Sequence, residues 1–135
     1  DVIAACKKLR TQIDFGMFLP VQKAAIAALT GPLDSVKRQC GEYQARRDAL
    51  CGGLRSIGWD VPNSHGSMFV WAPLPTGYTD SMAFCLELIE KAGVICTPGF
   101  SFGPSGEGYV RFALTLPVDR IEEAVKAIAD SGMIH

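Results

Sequence analysis

The residue that most clearly suggests chemistry in this sequence is Arg111, which stands between Val110 and Phe112 in an apolar run. A guanidinium inside such a run is costly to bury unless it is paired. In a β-strand, its side chain would point to the face opposite both neighbours. Its planar fork of donors would match a carboxylate or a phosphate through two parallel hydrogen bonds. An arginine on the solvent face of a half-exposed strand is the alternative, and the residues alone leave both interpretations open.

A glycine-rich segment at residues 100–108 precedes this strand, and its part at residues 103–108 is a candidate phosphate cradle. It fits neither the P-loop nor the dinucleotide fingerprint, and it leads into a strand rather than a helix. The pattern therefore favours a mobile or tightly turning surface loop. The histidines His65 and His135 stand alone, because no Ser or Cys with a third partner lies at a recognisable catalytic spacing.

The five cysteines form an odd count without any C-x-x-C spacing, which argues against a metal site or a disulfide framework. Each has apolar neighbours, so we expect all of them to be buried, reduced thiols of a cytoplasmic protein. These residues are Cys6, Cys40, Cys51, Cys85 and Cys96.

Charge and hydropathy exclude several classes of function. The 13 basic and 14 acidic residues give a net charge of −1, which offers no electrostatic case for nucleic acid or an anionic membrane. The longest apolar run, residues 24–29, is far shorter than the roughly 20 residues of a transmembrane helix. No signal-peptide pattern is visible, and a start at Asp1 without Met suggests that an upstream segment was removed. We therefore expect a cytoplasmic location.

Apolar periodicity predicts two helices in the first half of the chain. An Ala-rich helix at residues 20–29 opens with proline at a favoured first-turn position. The longest helix, at residues 33–57, carries one apolar stripe, which is typical of a helix that covers a sheet or links two domains. The first 17 residues are mixed in character and end in a glycine-containing turn at residues 14–17.

Two further helices are predicted from their capping residues. A helix at residues 80–92 has Asp80 as its N-cap and Gly93 as its stop. The last helix begins at Asp119, with Glu122 completing a D-x-x-E capping pattern.

Short apolar runs that alternate with these helices predict the strands of a small sheet. They lie at residues 59–61, 67–71, 94–97 and 109–114. Strands interleaved with helices define an α/β (or α+β) domain in which a short sheet packs against helices.

Three stretches carry a resemblance to a known family: GSMFVWAPLPTGY, LELIEKAGVICTPGFSFGPSGEGYVRFAL and RIEEAVKAI. They resemble class I/II aminotransferases of fold type I, which depend on pyridoxal 5′-phosphate (PLP). The branch with LL-diaminopimelate and alanine-type aminotransferases is the most similar. An earlier segment, DFGMFLPVQKAAIAALTGP, resembles the same enzymes just after their cofactor-binding lysine region, so the resemblance covers essentially the whole chain.

This resemblance implies a homodimeric enzyme that moves an amino group between an amino acid and a 2-oxo acid. Residues 1–32 would end the large cofactor domain, and residues 33–135 would form the small C-terminal domain with its long linking helix. Arg111 would pair with the substrate carboxylate. Phe15 and Gly16 would approach the cofactor phosphate of the partner subunit, although no standard Ser or Asn ligand occurs in that turn.

The same resemblance implies that the Schiff-base lysine lies outside this chain. No lysine here has the Ser-x-x-Lys type of surroundings, so we expect the chain alone to be inactive and not to bind PLP. Two alternatives remain open. One is another fold type I PLP enzyme, a C–S lyase or an acyl-CoA-condensing synthase. The other is a non-catalytic α/β domain that binds a small molecule.

Overall fold

A computed structural model describes residues 1–134, so the interpretation of His135 lies outside the described residues. The chain divides into two compact units, Asp1–Lys37 and Arg38–His135. Among the described residues, no helix combines the length and the apolar character that crossing a membrane requires.

The first unit consists mainly of two helices, α1 (Val2–Ile13) and α2 (Leu19–Thr30). The α1 helix was not predicted, although Val2, Cys6, Leu9 and Ile13 recur at the helical spacings of four, three and four residues. Asp1 caps it by accepting a hydrogen bond from the Ile3 N–H. The α2 helix confirms the predicted Ala-rich helix, with proline in its first turn.

The second unit contains three helices and three short strands. The long helix α3 (Asp34–Ser56), which begins just before this unit, confirms the predicted element. It is followed by β1 (Phe69–Pro73), α4 (Ser81–Ala92), β2 (Thr97–Pro98), β3 (Tyr109–Ala113) and α5 (Val118–Asp130). The glycine-rich segment forms two short 3-10 turns, Gly99–Phe102 and Pro104–Gly106. The prediction of a tight turn there is therefore confirmed.

The three strands form an antiparallel sheet in the order β1–β3–β2. Strand alternation buries Val70, Ala72, Val110 and Phe112 on one face. That face belongs to a single core with residues of α3, α4 and α5, and Trp59 lies at its centre with edge-on contacts to Phe84 and Phe112. The opposite face of β1 and β3 is the one that carries Arg111.

The strand predicted at residues 59–61 does not form, and the one predicted at residues 94–97 is shorter than expected. Residues 59–61 pair with no strand, because the Trp59 N–H closes the end of α3 on the Leu54 carbonyl and its indole donates to Pro73. Of residues 94–97, only Thr97 pairs with β3. Gly93, in the left-handed conformation with φ 66°, ends α4, and Val94 still donates to the Leu88 carbonyl.

Two predicted element starts are displaced. β1 begins at Phe69 rather than residue 67, because Ser67 has a left-handed backbone with φ 75° that interrupts the extended run. α5 begins at Val118 with Pro117 at the N-cap and no side-chain cap, so the D-x-x-E pattern at Asp119 does not form a capping box. In contrast, Asp80 caps α4 as predicted, accepting from the Met82 and Ala83 N–H groups.

The prediction that all five cysteines are buried is wrong for two of them. Cys51, Cys85 and Cys96 are buried, whereas Cys6 and Cys40 are exposed. Apolar neighbours in sequence do not bury Cys6 or Cys40, because in α1 and in the first part of α3 those neighbours are themselves exposed.

Candidate functional site

The candidate site is built around Arg111 at the centre of β3, the middle strand of the sheet. Its cross-strand neighbours are Trp71 on β1 and Thr97 on β2. Val110 and Phe112 are buried, whereas Arg111 is half-buried on the other face. The side chain therefore lies on the face opposite its neighbours, as strand alternation requires.

Aromatic rings surround the guanidinium of Arg111. Its Cζ lies over the Phe69 ring at 4.2 Å from the centroid and over the Phe102 ring at 4.5 Å. Both distances are within the range of attractive cation–π contacts. A ring over the face of a guanidinium leaves the in-plane N–H donors available for hydrogen bonds.

The Arg111 Nε is a buried donor without a hydrogen-bond partner in the described structure. None of the ion pairs among residues 1–134 includes Arg111 either. A buried donor without a partner is costly, and native proteins satisfy almost all such groups. The unpaired Nε beside a charged, planar fork therefore fits a carboxylate ligand, which accepts two hydrogen bonds from one arginine.

A row of aromatic side chains continues from this arginine across the same face of the sheet. Trp71 meets Phe102 edge-on with centroids 5.5 Å apart, and it stacks on Tyr109 at 5.6 Å with an interplanar angle of 18°. Trp59 is part of the buried core, whereas Trp71 and Phe102 are exposed over 37% and 50% of their surface. Strand alternation predicts that Trp71 lies on the same face of β1 as Phe69, because the two stand two residues apart.

The 3-10 turn Gly99–Phe102, which carries Phe102, is fixed by close backbone packing against the next turn, Pro104–Gly106. A Cβ added to Gly99 would lie 1.9 Å from the Gly106 carbonyl oxygen, so only glycine fits there. The Ser81 hydroxyl accepts a hydrogen bond from the Phe100 N–H at 3.2 Å. Glu107 accepts from the Ser81 and Gly108 N–H groups, and these two bonds hold the pKa of its carboxyl below the ordinary value.

The predicted phosphate-approaching residues, Phe15 and Gly16, lie in the first unit in the turn between α1 and α2. Phe15 is fully exposed. Gly16 has φ +117°, and its N–H donates to Asp14 Oδ1 at 2.9 Å. This N–H is thus already paired within the chain, and the Asp14 carboxylate stands beside it. A role for Phe15 and Gly16 at the cofactor stays a prediction.

Among residues 1–134, no group of three or more His, Cys, Asp or Glu side chains is placed to hold a metal ion. His65 is exposed in the loop before β1.

Comparison with known proteins identifies the class. The family model for "Aminotransferase class I and II" matches residues 1–128. The chain is 44% identical to the LL-diaminopimelate aminotransferase of Halothermothrix orenii over 133 residues, covering 98% of this chain and 34% of that protein. For the enzyme of the same name from Moorella thermoacetica, the identity is 45% over 128 residues, covering 95% and 33%.

Solved structures agree with this assignment. The substrate-bound BacF structure from Bacillus subtilis matches with a TM-score of 0.90 and 29% identity, covering 98% of this chain and 34% of that one. A probable N-succinyldiaminopimelate aminotransferase from Thermus thermophilus matches with a TM-score of 0.82 and 32% identity, covering 96% and 34%.

The chain belongs to the class I and II aminotransferase family. The predicted family and the predicted fold class, helices with a small sheet as in fold type I enzymes, are confirmed. The chain spans about a third of the length of the curated relatives it matches.

Proposed function

We propose that the whole protein is a PLP-dependent aminotransferase that moves an amino group between an amino acid and a 2-oxo acid. The observation that carries this proposal is the unpaired, buried Nε of Arg111, beside a guanidinium that lies over two aromatic rings. When bound, PLP would supply the electron sink for the reaction. The part of the reaction that belongs to this chain is the binding and orientation of the substrate.

In the proposed complex, Arg111 binds the α-carboxylate of the amino acid with its in-plane N–H donors. Two parallel hydrogen bonds fix the orientation of the carboxylate as well as its position. With one end of the small substrate fixed, rotation of its Cα relative to the rest of the active site is restricted. Such alignment of reacting groups is a major source of rate enhancement. The aromatic face around Trp71 excludes water from the ion pair and thereby strengthens it.

Several finer features belong to the same proposal. We infer that residues 1–32 end the large cofactor domain, that residues 33–135 form the small domain, and that the Schiff-base lysine lies elsewhere in the protein. We also propose a homodimer in the cytoplasm. Relatives named LL-diaminopimelate aminotransferase, at 41–45% identity, support a role in amino-acid biosynthesis and favour that substrate branch.

The test is replacement of Arg111 in the full-length protein. Arg111→Ala would leave a substrate carboxylate desolvated and unpaired, at a cost of roughly 2–5 kcal/mol. We expect kcat/KM for amino acids to fall about 30-fold to several-thousand-fold. Arg111→Lys should recover only part of this loss, because a point charge cannot reproduce the planar two-bond match.

The matched control is Arg120→Ala, which removes an exposed arginine of α5 that pairs with Glu123. It should leave kcat/KM nearly unchanged. PLP content should stay normal in all variants. Near-normal kcat/KM in Arg111→Ala, or loss of PLP instead of substrate affinity, would contradict the role of Arg111. A full-length protein that eliminates or condenses its substrate rather than transaminating it would replace the proposed reaction with a lyase or synthase reaction.

A further inference from the structure

We propose that Phe102 is a positioning residue for substrate binding: its ring holds the Arg111 guanidinium so that the in-plane donors face the substrate carboxylate. This inference rests on the proposed function. It concerns a residue outside the sheet, on the 3-10 turn Gly99–Phe102, that makes no polar contact of its own with a ligand.

The two rings over the guanidinium differ in how they are held. Phe69 belongs to β1, and its position follows from the sheet register, in which it pairs with Ala113. Phe102 reaches the guanidinium from outside the sheet and is 50% exposed. Its described ring contacts are with the Arg111 guanidinium at 4.5 Å and with Trp71, and it is not part of the core cluster.

Positioning by a ring requires that the ring itself be fixed. The backbones of Gly99 and Gly106 lie too close for any Cβ, and the Phe100 N–H is bound to the Ser81 hydroxyl. The Phe102 ring also makes an edge-on contact with Trp71, with the two ring centroids 5.5 Å apart. The turn thus carries the ring on a rigid backbone.

A fixed ring improves carboxylate binding by reducing the number of orientations that the free arginine samples. A long arginine side chain loses much rotational freedom when it binds, and a guanidinium that is already oriented loses less. Ground-state affinity for the carboxylate should therefore depend on the ring, whereas the chemical step should depend on it much less.

The experiment uses the full-length enzyme with four variants: Phe102→Leu, Phe102→Tyr, Phe100→Leu and Arg111→Ala. Leucine keeps apolar volume without a π-face, and tyrosine keeps the ring. Phe100 is the matched control, because it is 57% exposed on the same turn and its ring is not among the described contacts of Arg111. The measurements are kcat and KM for the amino acid that the wild type turns over fastest, and the inhibition constants of propionate and of uncharged propionamide.

We expect Phe102→Leu to raise KM and the propionate inhibition constant about five- to tenfold, the size of the cost of ordering one long side chain on binding. In the same variant, kcat should change less than about threefold, because it is measured once the carboxylate is bound and the guanidinium is already oriented. Propionamide inhibition should also change less than about threefold, because propionamide has no carboxylate. Phe102→Tyr and Phe100→Leu should stay within about twofold of wild type on every measure.

The outcomes separate this inference from the proposed function. If Arg111→Ala leaves KM and propionate binding unchanged, the proposed function fails. If Arg111→Ala weakens both but Phe102→Leu behaves as wild type, or Phe102→Tyr loses as much as Phe102→Leu, only the role of Phe102 is overturned. If Phe102→Leu does not accumulate as folded enzyme, Phe102→Met takes its place, and the same changes in KM, kcat and the inhibition constants are expected of it.

Discussion

Among single residues, Arg111 differs from three other arginines of the second unit in what its guanidinium contacts. Arg46 donates to the Leu114 carbonyl at 3.1 Å, Arg47 to Ser64 at 3.1 Å and Arg55 to Val61 at 2.6 Å. Each of these side chains satisfies a backbone oxygen and so stabilises the fold. Arg111 has rings over its guanidinium and a buried Nε without a partner. Its donors are thus available to a ligand, while those of the other three are used by the protein.

The five cysteines should differ in their reactivity according to their burial. In the folded chain, Cys6 and Cys40 should react rapidly with a thiol reagent, while Cys51, Cys85 and Cys96 should react at least roughly tenfold more slowly. The first two are exposed and the other three are buried. Burial raises the pKa of Cys51, Cys85 and Cys96, which lowers the thiolate fraction that reacts.

Time-resolved labelling followed by mass spectrometry of the peptides would measure these rates. Denatured chain is the control, in which all five cysteines should label at similar rates. Cys85 and Cys96 have their Sγ atoms 3.3 Å apart as free thiols, and we expect them to remain reduced without added oxidant. Labelling of Cys51 as fast as Cys40 in the folded chain would contradict the described core.

Among the helices, α4 has a side-chain N-cap at Asp80, whereas α5 has none. Asp80→Ala should destabilise the chain by about 0.5–2 kcal/mol, because the Met82 and Ala83 N–H groups would lose their acceptor. Asp119→Ala should cost less than about 0.5 kcal/mol, since Asp119 lies inside α5 and caps nothing, so that only its interaction with the helix dipole is lost.

Urea denaturation of the two variants beside wild type measures this difference. Asp80→Asn is the control for the cap, because an Asn side chain can accept the same hydrogen bonds. Equal loss of stability in Asp80→Ala and Asp119→Ala would mean that α5 is capped in solution by the side chain that the D-x-x-E pattern suggests.

The helices could be predicted from sequence better than the strands, and the reason is physical. α4 is defined by local signals, the Asp80 cap and the Gly93 stop, and both act within the helix itself. A strand is defined by its partner, and the partner of Thr97 on β3 is 14 residues away in the chain. Residues 94–97 look extended in isolation, but the end of α4 uses the Val94 N–H, so that only the last of them is left to pair.

The candidate site could be predicted only in part, because some of its residues are marked by local sequence patterns and others are placed by distant contacts. Arg111 is conspicuous because a charged residue in an apolar strand breaks the local pattern. The ring of Phe102 over its guanidinium could not be predicted, since no local pattern fixes where a 3-10 turn places its side chains. Its position depends on the backbone contact between Gly99 and Gly106 and on the Ser81 hydroxyl, which lies in another element.

For the whole molecule, the two units differ in the apolar surface that they bury. The second unit has a continuous core around Trp59 and the inner face of the sheet. In the first unit, no residue of α1 or α2 is buried, although both helices carry apolar side chains. Isolated helices of this length are marginal in water. Under the proposed function, residues 1–32 belong to the large domain, which would supply the core that these helices lack.

The chain by itself should therefore not form a cofactor adduct. With PLP added, we expect no stoichiometric internal aldimine in the visible spectrum and no half-reaction with any amino acid. A Schiff-base lysine must react as the neutral amine. The hydrogen bond from Lys91 to Glu87, at 2.7 Å, raises the pKa of Lys91 and so keeps this amine protonated. None of the other lysines stands in a Ser-x-x-Lys sequence, and they are Lys7, Lys8, Lys23, Lys37 and Lys126.

Borohydride reduction and peptide mass spectrometry would detect any adduct, with the full-length protein as the positive control. Scattered, substoichiometric labelling of several lysines is expected, since surface amines react weakly with any aldehyde. A single lysine labelled to completion would contradict the prediction, because it would place a Schiff-base site within this chain. The Lys91→Arg variant tests the role assigned to Glu87. Its labelling should match that of wild type if Glu87 holds Lys91 protonated, and it should fall if Lys91 reacts.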